Sequence, residues 1–60
     1  MDNFYRIGEK YWASNPKAGR NIQSSGILID WDQYNNAILF NQHWGYWYAT
    51  KENLDKHNKD

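Results

Sequence analysis

The stretch GILIDWD, Gly26 to Asp32, followed by QYNN (33 to 36) and AILFNQ (37 to 42), decides the architecture of this chain. In GILIDWD the side chains alternate with period two, the repeat of a strand that buries one face. Ile27, Ile29 and Trp31 then share a face expected to point inward, with Leu28, Asp30 and Asp32 on the other. QYNN has hairpin chemistry, since Asn tolerates the positive φ that tight two-stranded turns demand. A second strand resumes at AILFNQ. A second tight connection falls at His43, Trp44 and Gly45, and YWYAT (46 to 50) supplies a third strand. Three consecutive antiparallel strands form a meander, which costs little loop-closure entropy.

Working outward, FYRIGEKYWA (4 to 13) shows no helical spacing of its apolar residues and is expected to be extended. Pro16 disfavours the α region at Asn15, so Ser14 to Asn21, with Pro16 and Gly19 among polar residues, is expected to be a loop. On the other side, KENLDKH follows Thr50, whose hydroxyl can cap a helix start; Glu52 suits the positive helix end and Leu54 is the one inward anchor. One or two helical turns, α or 3₁₀, are expected there. The fold class is therefore mostly β: four to five strands as a small barrel or an open antiparallel meander, with a short C-terminal helical turn. Residues 1 to 54 make one small domain, and 55 to 60 read as a polar tail.

Sixty residues support a single core, and a core this small rarely supplies more than about 3–5 kcal/mol. The chain has no cysteine, so disulfides and thiolate metal sites are excluded, and His43 and His57 are too few and too separated for a zinc site. No metal and no cofactor are expected. Four Trp, five Tyr and two Phe must supply most of the apolar area, at about 150–250 Å² per ring. Eleven such rings exceed what one small interior holds, so some should be exposed, and clustered exposed aromatics mark a contact surface. Seven basic residues balance seven acidic ones. Net neutrality argues against binding nucleic acid mainly through phosphate neutralisation. No apolar run approaches the roughly 20 residues of a membrane helix, and no secretory leader pattern opens the chain, so a cytoplasmic protein is expected. The wealth of Asn, Lys, Ile and Tyr fits an AT-rich genome such as a bacteriophage's.

The order of these pieces, IGEKYWA (7 to 13), GILIDWD, AILF (37 to 40) and GYWYATKENL (45 to 54), resembles the SH3-like small β-barrels, the group that includes Tudor and KOW domains. The resemblance implies a core of Tyr11, Ala13, Ile27, Ile29, Ile38, Phe40 and Leu54. It also implies that ligands would meet the loop after the first strand and the loops of the meander. The chain carries no ALYDY-like segment, no Pro in its final strand and no legible Tudor cage, so proline-motif and methyl-lysine recognition are not implied.

HWGYWY (43 to 48) packs four rings and a histidine around one Gly. Trp44, Tyr46 and Trp47, helped by Tyr34 on the adjoining hairpin, are the candidate binding residues. Alternation can instead bury one set, Tyr46 with Tyr48 or Trp47 alone. Lys10, Lys17 and Arg20 are a candidate basic patch. A lone His43 in a turn, without a Ser or Cys nucleophile pattern, and Asp30 with Asp32 on one outward strand face make no catalytic set. No enzyme activity is expected. The expected function is a small protein-interaction module that docks an aromatic patch on a partner protein, in the manner of a phage or mobile-element regulator of a host factor. Two alternatives from other classes are a small nucleic-acid-binding barrel and a self-associating structural component.

Overall fold

A computed structural model describes residues 5–19 and 22–58. Four strands, β1 (Lys10–Ser14), β2 (Gln23–Trp31), β3 (Ala37–Asn41) and β4 (Gly45–Ala49), precede one helix, α1 (Lys51–Asn58). The strands form a single antiparallel sheet in the order β1-β2-β3-β4, the expected meander with a fourth strand added at its N-terminal side. Such a sheet with one terminal helix is compatible with a small barrel-like fold.

Turn chemistry sets the registers. In the β2–β3 turn the Asp32 carboxylate accepts the Tyr34 and Asn36 amides at 2.8 Å each, and Asn35 takes a φ of 64°, as its side chain permits. The backbone amide of Asn36, then that of Tyr34 and the Asn36 side-chain NH₂, hold the Asp32 carboxyl below its ordinary range against an opposing desolvation. In the β3–β4 turn Asn41 Oδ1 accepts the amides of His43 and Trp44, and Gly45 follows with a φ of 80° that would strain any side chain bearing a Cβ.

The core lies on one face of the sheet: Ala13, Leu28, Ala37, Leu39, Trp47, Ala49 and, from the helix, Leu54. This reverses much of the expected inside. Ile27 and Ile29 face outward, and so do Ile38 and Phe40, whose strand buries Ala37 and Leu39 instead. The cause in β2 is a bulge: Leu28 pairs with Leu39 but Asp30 pairs with Ile38, so Ile29 is an extra residue. One inserted residue flips the alternation, and Trp31 therefore shares the inner face with Leu28 rather than with Ile27 and Ile29. Trp31 does pack on the core as expected, as does Tyr11. In β3 two apolar sets compete, and the smaller one goes inside because the Trp47 indole already fills the space. That indole lies directly over Gly26. A Cβ there would fall 2.6 Å from Trp47 Cη2 and 3.0 Å from the Phe40 carbonyl oxygen, so β2 has room for the ring only because residue 26 has no side chain.

The helix begins as expected, with Thr50 Oγ1 accepting the Asn53 amide at 3.0 Å. It does not end at Leu54, and residues 55 to 58 are not tail: they are helical and packed, while 59 and 60 lie outside the described residues. Polar contacts rather than an apolar stripe hold this last turn. Asn58 accepts the Trp12 amide at 2.9 Å and donates to the Trp12 carbonyl at 2.7 Å, imitating a neighbouring strand. Asn53 accepts the Ser14 amide, and His57 Nε2 lies 3.0 Å from Ser14 Oγ. The Tyr5 hydroxyl donates to Asp55, and the Tyr5 ring meets Tyr11 edge-on at 5.0 Å. The helix thus covers the open edge of β1, which would otherwise present unpaired backbone groups. At the opposite edge, Lys17 Nζ donates to the carbonyls of Tyr46 (2.6 Å) and Trp44 (3.4 Å), tying the β1–β2 loop to the start of β4.

Candidate functional site: the outer face of the sheet

The registers arrange the outward side chains in rows. Lys10, Ile27, Phe40 and Tyr46 are successive partners across all four strands, and Asp30, Ile38 and Tyr48 form the row beside them. Trp12 stands on β1 one row to the other side. Phe40 and Tyr46 touch, with ring centroids 4.9 Å apart and planes at 55°. Among the described residues no helix covers this face, since α1 packs on the other through Leu54. Trp12, Tyr46 and Tyr48 are 49%, 58% and 60% exposed, and Ile27 and Ile29 are 43% and 38% exposed. Single exposed apolar residues are ordinary, but a contiguous set on one flat face is characteristic of a contact surface.

A groove of about 500 Å³ opens on the same face, with Ile27 and Phe40 among its lining and Lys10, Ser25, Gln42 and His43 around them. Its volume falls in the range of about 300–1,000 Å³ typical of ligand clefts. The lining contains one fixed cation, Lys10, and no carboxylate.

The structure keeps only part of the patch expected from HWGYWY. Tyr46 lies on the outer face. Trp47 does not: it is 3% exposed and belongs to the core, because strand alternation places it beside Leu39. Trp44 sits in the β3–β4 turn, half-buried and edge-on to His43 at 4.5 Å. Tyr34 is exposed but sits at the β2–β3 turn, the opposite end of β3, so it does not adjoin Trp44. The basic patch is likewise not assembled. Lys10 stands on the outer face of β1, the Lys17 ammonium is engaged by the carbonyls of Tyr46 and Trp44, and Arg20 lies outside the described residues. Trp12, Ile27, Phe40 and Tyr48 are the members that the sequence did not single out. The signal that points to them is the run of small residues at the inward positions Ala13, Gly26, Ala37 and Ala49, which leaves the larger side chains of the same strands for the other face.

His57 and Ser14 come within hydrogen-bonding distance, and the contact joins α1 to β1. Among the described residues no cluster of three or more His, Asp or Glu side chains could hold a metal ion, and no helix is long and apolar enough to cross a membrane. No protein-family model matches the chain, and neither a curated protein nor a solved structure matches it.

Proposed function

We propose that this protein is a small interaction module that docks on a partner protein through the outer face of its sheet, with Trp12, Ile27, Phe40, Tyr46 and Tyr48 as the contact residues. The observation that carries this is the outer face itself, on which Trp12, Ile27, Ile29, Tyr46 and Tyr48 stand 38% to 60% exposed beside the half-buried Ile38 and Phe40. Rigid rings give contact area at small entropic cost, and the groove beside Phe40 has the size to accept a protruding side chain. The two described rows carry one cation and one carboxylate, Lys10 and Asp30, which suits another protein better than a polyanion. We take the sheet as an SH3-like barrel, used for binding rather than catalysis, in a cytoplasmic regulator of the phage or mobile-element kind.

The test is capture by surface variants with an internal control. A protein retained by the wild type and by Tyr34→Lys but lost with Tyr48→Lys identifies the face as the docking surface. Equal retention by all three, with Tyr48→Lys folded, overturns the assignment.

A further inference from the structure

We infer that the partner on this face is a second copy of the same chain, the two sheets packing face to face about a two-fold axis. The inference rests on the docking role proposed above and gives it an occupant. Three observations lead to it.

The first is area. With three rings about half exposed at roughly 150–250 Å² each and the two isoleucines beside them, one face offers on the order of 500 Å². A symmetric pair then buries up to ~1,000 Å² in total, below the roughly 1,200 Å² of stable interfaces and in the range of weak, reversible ones. The second is charge. Lys10 ends the row that contains Ile27, Phe40 and Tyr46, and Asp30 ends the adjoining row with Ile38 and Tyr48. A two-fold axis running across the strands between these rows lays each on the other's counterpart. It sets Tyr46 against the partner's Tyr48, Phe40 against the partner's Ile38 and Ile27 against the partner's Asp30, with Lys10 one strand over and diagonal to that carboxylate. One surface is thus its own complement, as an isologous contact requires. The third is size. A 60-residue chain without cysteine has a marginal core, and pairing two sheets face to face closes a second apolar layer, as in a β-sandwich.

Sedimentation equilibrium of the wild type between about 1 µM and about 1 mM, alongside Ile27→Lys, Tyr48→Lys and the control Tyr34→Lys, tests this. The expected result is a mass rising from 7.2 kDa toward its double for the wild type and Tyr34→Lys, with the two face variants folded and monomeric. Lys10→Asp should weaken the pairing several-fold and Lys10→Asp with Asp30→Lys should restore it. If the face variants fail to fold, isotope-filtered NMR of mixed labelled and unlabelled wild type decides: contacts between Tyr46 and Tyr48 of different copies support the pair, and their absence from the dimer overturns it. A wild type monomeric throughout, or a dimer that survives both folded face variants, also overturns it. So does salt-sensitive binding of a single-stranded oligonucleotide by a monomer. A monomeric wild type leaves the capture experiment above as the separate judge of the docking face.

Discussion

Replacing Gly26 with Ala adds one methyl group at the point where the core is tightest. The new Cβ would lie 2.6 Å from Trp47 Cη2 and 3.0 Å from both Trp47 Cζ3 and the Phe40 carbonyl oxygen. Neither neighbour yields easily, since the indole is buried and the oxygen is backbone of the central strand pairing. Overpacking costs about 1–3 kcal/mol, and this geometry puts Gly26→Ala at the upper end. At about 8 °C per kcal/mol for a chain this short, the midpoint of thermal unfolding should fall by ~15–25 °C. Against a total stability of about 3–5 kcal/mol, that leaves a barely folded protein at 25 °C. Urea titration followed by tryptophan fluorescence measures the loss. A double-mutant cycle locates it, because Trp47→Phe deletes the two ring atoms that the methyl would strike, together with an indole N–H that has no acceptor among the described residues. The cost of Gly26→Ala should be smaller by at least ~1 kcal/mol when measured in the Trp47→Phe background. Unchanged stability for Gly26→Ala, or strict additivity in the cycle, would mean that the indole does not lie over Gly26 and that the inner face has been assigned wrongly.

Other consequences can be checked in the same way. Ile27→Lys and Tyr48→Lys should leave the monomer within about 0.5 kcal/mol of wild type, since both side chains already meet solvent, whereas Leu28→Lys, one residue away, should prevent folding. Asn58→Ala removes both bonds to the Trp12 backbone and should cost about 1–3 kcal/mol, with faster amide exchange at Trp12 and Ser14. Asp32 is held below its ordinary pKa of 3.8 by the Asn36 and Tyr34 amides, so its contribution is present in full above the unfolded value. That contribution is lost as pH falls through the lower folded value. Asp32→Asn should therefore flatten the acid limb of the stability profile below about pH 4.

How much of this was legible in the sequence depends on what each feature is made of. The ends of the strands at the two tight turns were readable because they are set locally, by Asp32, Asn35 and Asn36 at one turn and by Asn41 and Gly45 at the other; the starts of β1 at Lys10 and of β2 at Gln23, rather than at 4 and 26, were not. The Thr50 cap was readable for the same reason. Which face is inside was not, because both alternations of AILFN are apolar and the β2 bulge at Ile29 leaves no mark in GILIDWD. A period-two count therefore places Trp31 correctly and Ile27 and Ile29 wrongly. The end of the helix was missed because its last turn is held by Asn53, His57 and Asn58 bonding to a strand edge, a pairing between residues 39 to 46 positions apart. The surplus of rings implies that some stand exposed, as Trp12, Tyr34, Tyr46 and Tyr48 do, but which ones depends on the face assignment: of the proposed patch Tyr46 remains, Trp47 is core, and Trp12, Ile27, Phe40 and Tyr48 join it.

Single-cysteine accessibility reads those faces directly, and the chain lends itself to it because it has no cysteine of its own. Cysteine placed singly at 27, 28, 38, 39 and 48, probed with a thiol reagent at low protein concentration, should react rapidly at 27, 38 and 48 and stay protected at 28 and 39. Protection at 27 and 38 with rapid reaction at 28 and 39 in folded variants would put the isoleucines inside and abolish the docking face.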